Sequence, residues 1–115
     1  MEVVTTDEFV EWYDGLETAD SEAVTEAVDF LEGQGVRLGF PKSSAIQGSR
    51  WPIRELRVQS RGKAIRVFYI FDSSRDAVLL IGGTKEGKRF YQAMIPVAEK
   101  IWKKYLKEEA KRKEK

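Results

Sequence analysis

Arg57 and Arg66 flank an Arg61-Gly62 dipeptide, the arrangement in this chain best suited to do chemistry. Arg61-Gly62 predicts a tight two-residue turn between two strands. In that register Ser60 faces Lys63, Leu56 faces Val67 and Val58 faces Ile65, which makes one apolar face. On the other face Arg57 lies directly across from Arg66. Like charges directly opposite on paired strands are destabilising. Glu55, diagonal to Arg66, relieves only part of the repulsion. One reading is an exposed pair reaching apart into solvent, helped by Glu55 and by acidic helices elsewhere. The other is a pair poised for an absent anion, such as a phosphate taken in bidentate fashion by guanidinium.

Other cations cluster where the second reading needs them. Lys85 follows a later strand, and Lys88, Arg89 and Tyr91 lie at the start of the last helix. Free N–H groups at a helix start also attract anions. Lys42, Arg50 and Arg54 could line the rim, and with Lys88 and Arg89 they are the candidate RNA-binding groups. Lys100, Lys103, Lys104 and Lys107 read as a solvated helix face. Gly82-Gly83-Thr84-Lys85 lacks the leading glycine and spacing of a phosphate loop, so that motif is rejected.

The chain has no histidine and no cysteine. Disulfides, thiol nucleophiles, Cys/His zinc sites and Ser-His-Asp triads are therefore excluded. No metal and no cofactor are expected. A phosphodiester cleaver built from these residues would work mainly by electrostatics, with arginine and lysine stabilising the added negative charge of the scissile phosphate. Tyr91, or a lysine of lowered pKa, would accept the proton of a ribose 2′-OH. Such a site favours RNA, whose own hydroxyl is the nucleophile. Tyr91 reads about equally well as a core aromatic beside Phe90.

Positioning these groups takes an α+β arrangement. Residues 2–5 are a β-prone run that reads as an edge strand. Thr5 and Glu8 have capping-box spacing, so a first helix begins near Thr6 and ends near Gly15. Ala23, Val24, Ala27, Val28 and Leu31 form the apolar stripe of a second helix over 21–32. The acidic residues of both helices read as solvated outer faces. Residues 36–52 read as a loop, long for so small a domain and so a candidate for function. Strands follow at 53–60, 63–71 and 77–84 as an antiparallel meander. A long helix over 88–107 packs on the sheet, kinked or restarted at Pro96. Residues 107–115 form a charged tail expected to fray.

The 115 residues suit one domain over 1–115, with enough apolar side chains for a core. No run approaches the roughly 18 apolar residues of a membrane helix, and no leader is evident. A soluble, cytoplasmic protein with no membrane partner is expected. The first thirty-six residues hold eleven carboxylates and no lysine or arginine, while the rest hold all twenty basic residues against eight acidic ones. That asymmetry predicts either a strongly positive surface for a polyanion or neutralisation of one half by the other.

The segments Ile53-Arg54-Glu55-Leu56-Arg57 and Ile65-Arg66-Val67-Phe68-Tyr69 carry a family likeness. So does Ala77-Val78-Leu79-Leu80-Ile81-Gly82-Gly83-Thr84-Lys85, continuing through Arg89-Phe90-Tyr91 to Ala98. Together with the element order, they resemble the RelE/HigB toxin superfamily, above all its HigB-like, phage-derived branch. The resemblance implies a small RelE-like fold and the toxin of a type II toxin–antitoxin pair. It implies a metal-independent, ribosome-dependent mRNA endoribonuclease that inhibits translation and leaves a 2′,3′-cyclic phosphate. Partners implied are the ribosome, mRNA and a cognate helix-turn-helix antitoxin, with DNA reached only through that antitoxin. Carried over by position, the catalytic residues are Arg57, Arg66 and Lys85, with Tyr91 as a fourth. Some members place histidines near the site; this chain has none.

Two other classes of function fit the same residues. One is a non-catalytic RNA- or ribosome-binding module, favoured by the missing histidine. The other is a protein-interaction domain whose basic groove receives an acidic partner segment.

Overall fold

The structure is a computed structural model that describes residues 1–113. Its framework is a five-stranded sheet, with strands β1 (Val3–Thr5), β2 (Ser43–Ala45), β3 (Arg54–Ser60), β4 (Lys63–Phe71) and β5 (Ala77–Thr84). They lie in the order β1-β5-β4-β3-β2. The β1–β5 pair is parallel and the other pairs are antiparallel. Three helices flank the sheet: α1 (Asp7–Asp14), α2 (Thr18–Gln34) and α3 (Phe90–Lys113). The α+β class is borne out.

Sequence dictates the hairpin at the centre. Arg61 and Gly62 both take positive φ, 51° and 78°, the backbone a primed two-residue turn requires. The expected register follows in full, from Ser60↔Lys63 to Arg57↔Arg66. A side chain at Arg61 φ is unusual. Buried Asp20 of α2 meets the cost: it accepts from Ser60 Oγ at 2.6 Å, Lys63 Nζ at 2.9 Å and Arg61 at 3.2 Å. Asp20 is thus a tether between α2 and the turn, correcting the expectation that every acidic residue of the first two helices faces solvent.

Both faces of the sheet are covered, which explains the nearly unbroken apolar run of β4. Helices α1 and α2 bring Phe9, Val24 and Leu31 onto Leu56, Val58, Ile65 and Val67. Helix α3 brings Phe90, Ala98, Ile101 and Trp102 onto Phe68, Ile70, Val78 and Leu80 of the other face. Alternation along β3 therefore sends Glu55 and Arg57 toward the α3 side, and Leu56 and Val58 toward α1 and α2.

Several boundaries differ from expectation. The cap of α1 is Thr6, whose Oγ1 accepts from Phe9 N–H at 3.1 Å; Thr5 is in β1 instead. Glu8 is paired with Lys104 of α3 at 3.1 Å, so Lys104 is not simply solvated. Helix α2 is longer at both ends than the 21–32 expected. The supposed loop over 36–52 holds β2, which forms against β3 because a strand edge was free there. Helix α3 begins after Gly87, which takes φ 74°. It continues through Pro96 and beyond residue 107 to Lys113. Strong helix formers fill that last stretch, and Glu109 meets Tyr105 and Arg112. The rest of the predicted tail, 114–115, lies outside the described residues.

Candidate active site

The facing arginines lie where the hairpin register puts them, but a carboxylate joins them. Glu55 is 4% exposed. One of its oxygens, Oε1, accepts from the Tyr91 hydroxyl at 2.7 Å and lies 3.6 Å from Arg66 Nε. The other, Oε2, accepts from Ser44 Oγ at 3.0 Å and from Arg57 at 3.4 Å. Four elements thus converge on one buried charge: β2, β3, β4 and α3. An isolated buried carboxylate would be costly. Here two cations and two hydroxyl donors surround it.

The two guanidinium groups are unequal. Arg57 keeps a side-chain exposure of 34%, and Arg66 only 6%. Arg66 donates to the Ile65 carbonyl at 3.1 Å, while its Nε is buried without a hydrogen-bond partner. The pair expected to be poised for an anion is therefore open to solvent on the Arg57 side alone. Arg57 faces solvent, and Arg66 lies beneath with Glu55 beside it. The reason is packing: β4 is central and covered by α3, whereas Arg57 is on β3, just past the last residue in register with β2.

Lys85 and Tyr91 join this cluster. Lys85 Nζ lies 5.3 Å from the Tyr91 ring centroid. Among the described residues no ion pair involves Lys85, Lys88 or Arg89, and all three are exposed. Lys88 and Arg89 immediately precede α3, next to Tyr91 in the chain. The cluster of Arg57, Arg66 and Lys85 against Glu55 carries an excess of positive charge.

Tyr91 is held as a hydrogen-bond donor. Burial pushes its phenol upward from the ordinary value, and the Glu55 hydrogen bond adds to that, with Arg66 opposing in part. A phenolate is therefore disfavoured, which argues against Tyr91 acting alone as the proton acceptor.

The remaining expected rim residues spread apart. Arg54 alternates to the opposite face, where its Nε donates to Ser43 Oγ at 3.2 Å and to the Tyr69 hydroxyl at 3.4 Å. It does not reach the Glu55 cluster. Lys42 bonds β3 through its backbone, its carbonyl accepting from Arg57 N–H at 2.8 Å. Its ammonium lies over the Phe30 ring at 4.9 Å. Arg50 is in a loop fastened to α3 by Glu99, which accepts from Ser49 Oγ at 2.7 Å and from Arg50 N–H at 3.3 Å.

Sequence reasoning missed the centrality of Glu55. Its diagonal position to Arg66 was legible, but its burial depended on β2 and α3 closing over it. Among the described residues no group of three or more carboxylates gathers as a metal site would require. Again among them, no helix is long and apolar enough to cross a membrane.

Comparison with known proteins agrees with the resemblance read from the motifs. The model of a family described as phage-derived Gp49-like proteins matches residues 11–103. A Mycobacterium tuberculosis protein named "Putative toxin HigB3" is 35% identical over 112 residues, covering 95% of this chain and 96% of its own. A second from the same organism, "Putative toxin HigB2", is 33% identical over 99 residues. That match covers 83% of this chain and 49% of the relative.

Proposed function

The chain belongs to the phage-derived Gp49-like family, and from that premise we propose that it is a HigB-like toxin that cleaves mRNA on the ribosome. The observation that carries the chemistry is Glu55 accepting from Tyr91 at 2.7 Å between two arginines. The relatives' names support a toxin, and with it a cognate antitoxin as partner. The residues support the reaction.

In this reading Arg57 and Lys85 hold the non-bridging oxygens of the scissile phosphate. Arg66 stays beneath them, fixing Glu55 and adding positive potential. The substrate's 2′-OH gives its proton to the Tyr91 oxygen as Tyr91 passes its own to Glu55, so no free phenolate forms. The 2′-oxygen bonds to phosphorus and the bond to the 5′-oxygen breaks. That oxygen leaves with a proton from the Lys85 ammonium. The products are a 2′,3′-cyclic phosphate and a 5′-hydroxyl. Fixed charges aimed at the developing negative charge supply much of the rate. Proton transfer by a positioned group contributes typically about 10²–10⁴-fold.

The test is expression in a translating extract with mapping of mRNA 5′ ends. Cuts within translated messages are expected, reduced about a hundredfold by Arg57→Ala and unchanged by Lys103→Ala. Intact messages and undisturbed translation would sink the proposal.

One observation favours a second reading. Arg66 is turned onto the protein's own carboxylate, and the chain lacks histidine. A binding module without turnover would hold RNA or ribosomes in a salt-dependent way and give no cleavage products.

A further inference from the structure

We propose that the exposed Phe40 ring lying against Arg57, an arginine that also lines a groove running to Phe30, is a stacking subsite for the base of a nucleotide next to the scissile phosphate. This rests on the RNA reading above and adds to it a residue that positions substrate. Phe40 comes from the 36–52 segment and its side chain is 77% exposed. A lone exposed apolar ring needs no explanation. This one faces Arg57, whose guanidinium carbon is 5.6 Å from the ring centroid. The same arginine therefore touches Glu55 at one edge and an aromatic ring at another. A phosphate taken by Arg57 would leave its neighbouring base within reach of that ring.

The surroundings suit a base. A groove of about 190 Å³ runs between α2 and β3 from Arg57 to Phe30, itself 43% exposed. Ala27, Leu38 and Leu56 give it apolar walls, while Glu26 and Gln59 offer polar edges. Bases of single-stranded RNA are commonly splayed onto aromatic rings and arginine planes, with polar side chains reading their edges. Lys42 over Phe30 adds a second cation beside a ring. An acidic peptide segment fits less well, because its carboxylates would meet Glu26.

The test compares Phe40→Leu and Phe40→Trp with the parent in the translating extract, reading cleavage rate and the nucleotides flanking each cut. Leucine keeps an apolar side chain but removes the ring face. Loss of one stacked base should slow Phe40→Leu about tenfold or more and shift the distribution of flanking bases. Phe40→Trp should restore both, and all three proteins should melt together. Unchanged rate and flanking bases in Phe40→Leu would overturn the subsite and leave the nuclease standing. Tryptophan as impaired as leucine would also overturn it, assigning Phe40 to packing or to a protein contact. A parent that cuts nothing removes the nuclease reading and this subsite with it.

Discussion

Tyr91 of α3 donates its hydroxyl hydrogen to Glu55 of β3 at 2.7 Å, joining the C-terminal helix to the hairpin that carries the arginines. This contact connects the fold to the chemistry. It buries the carboxylate, orients the phenol and leaves Arg57 as the accessible member of the facing pair.

Tyr91→Phe isolates the hydroxyl. The ring keeps its packing beside Phe68 and Phe90, and Glu55 keeps its other donors. Stability should fall by only about 1 kcal/mol. Cleavage in the translating extract should drop about a hundredfold, in line with loss of proton transfer. Full activity in the phenylalanine variant would remove Tyr91 from the mechanism.

The arginines should separate in kind. Arg66→Ala leaves a buried carboxylate short of a cation and should lose about 1–3 kcal/mol of stability along with turnover. Arg57→Ala removes a part-exposed group and should lose turnover with little change in melting temperature. Thermal melts beside cleavage assays check this; equal destabilisation by both variants contradicts the burial difference.

Acid should reveal the Asp20 tether. Hydrogen bonds from Ser60 and Lys63, with Arg61 adding to them, hold its carboxyl well below the usual carboxylate value. A depressed folded-state value stabilises the protein above the unfolded-state pKa of about 3.9. That contribution is lost as pH falls below about 4. Asp20→Asn should be less stable than the parent at pH 7, and the two should converge toward pH 2. Denaturant melts across that range give the comparison, and parallel curves would mean that Asp20 does not titrate as placed.

Gly82 admits the Trp12 ring from α1. A Cβ there would meet Trp12 ring carbons at 2.3–2.6 Å. Gly82→Ala should therefore destabilise by about 1–3 kcal/mol through overpacking. Chemical denaturation measures it directly, and a neutral result would show that Trp12 moves aside freely.

Much of the fold was legible because it is set locally. Arg61-Gly62 carries its own turn geometry, and from the turn the pairing of Arg57 with Arg66 follows by counting. Side-chain alternation then put Leu56, Val58, Ile65 and Val67 on one face. Lys85 beside Tyr91 was partly legible from their closeness along the chain. Other features were hidden because they depend on residues distant in sequence. Strand β2 is three residues long and exists through its pairing with β3. Asp20 looks like any acidic residue of a helix until the turn closes on it. Arg54 is different: the alternation that places Leu56 and Val58 also places Arg54 on their face, beside Ser43 and Tyr69, so its distance from the rim was legible in the sequence.

By itself, the sequence determined the strand register, the facing arginines, the exclusion of histidine and thiol chemistry, and the family. These depend on residue identity and on spacing within one hairpin or one motif. Only the tertiary structure decided that Arg66 is buried while Arg57 is open, that Glu55 binds both, and that Phe40 lies against Arg57. Burial and ion pairing depend on which elements close over a residue, and those elements, the 36–52 segment with β2 and helix α3, lie outside the hairpin.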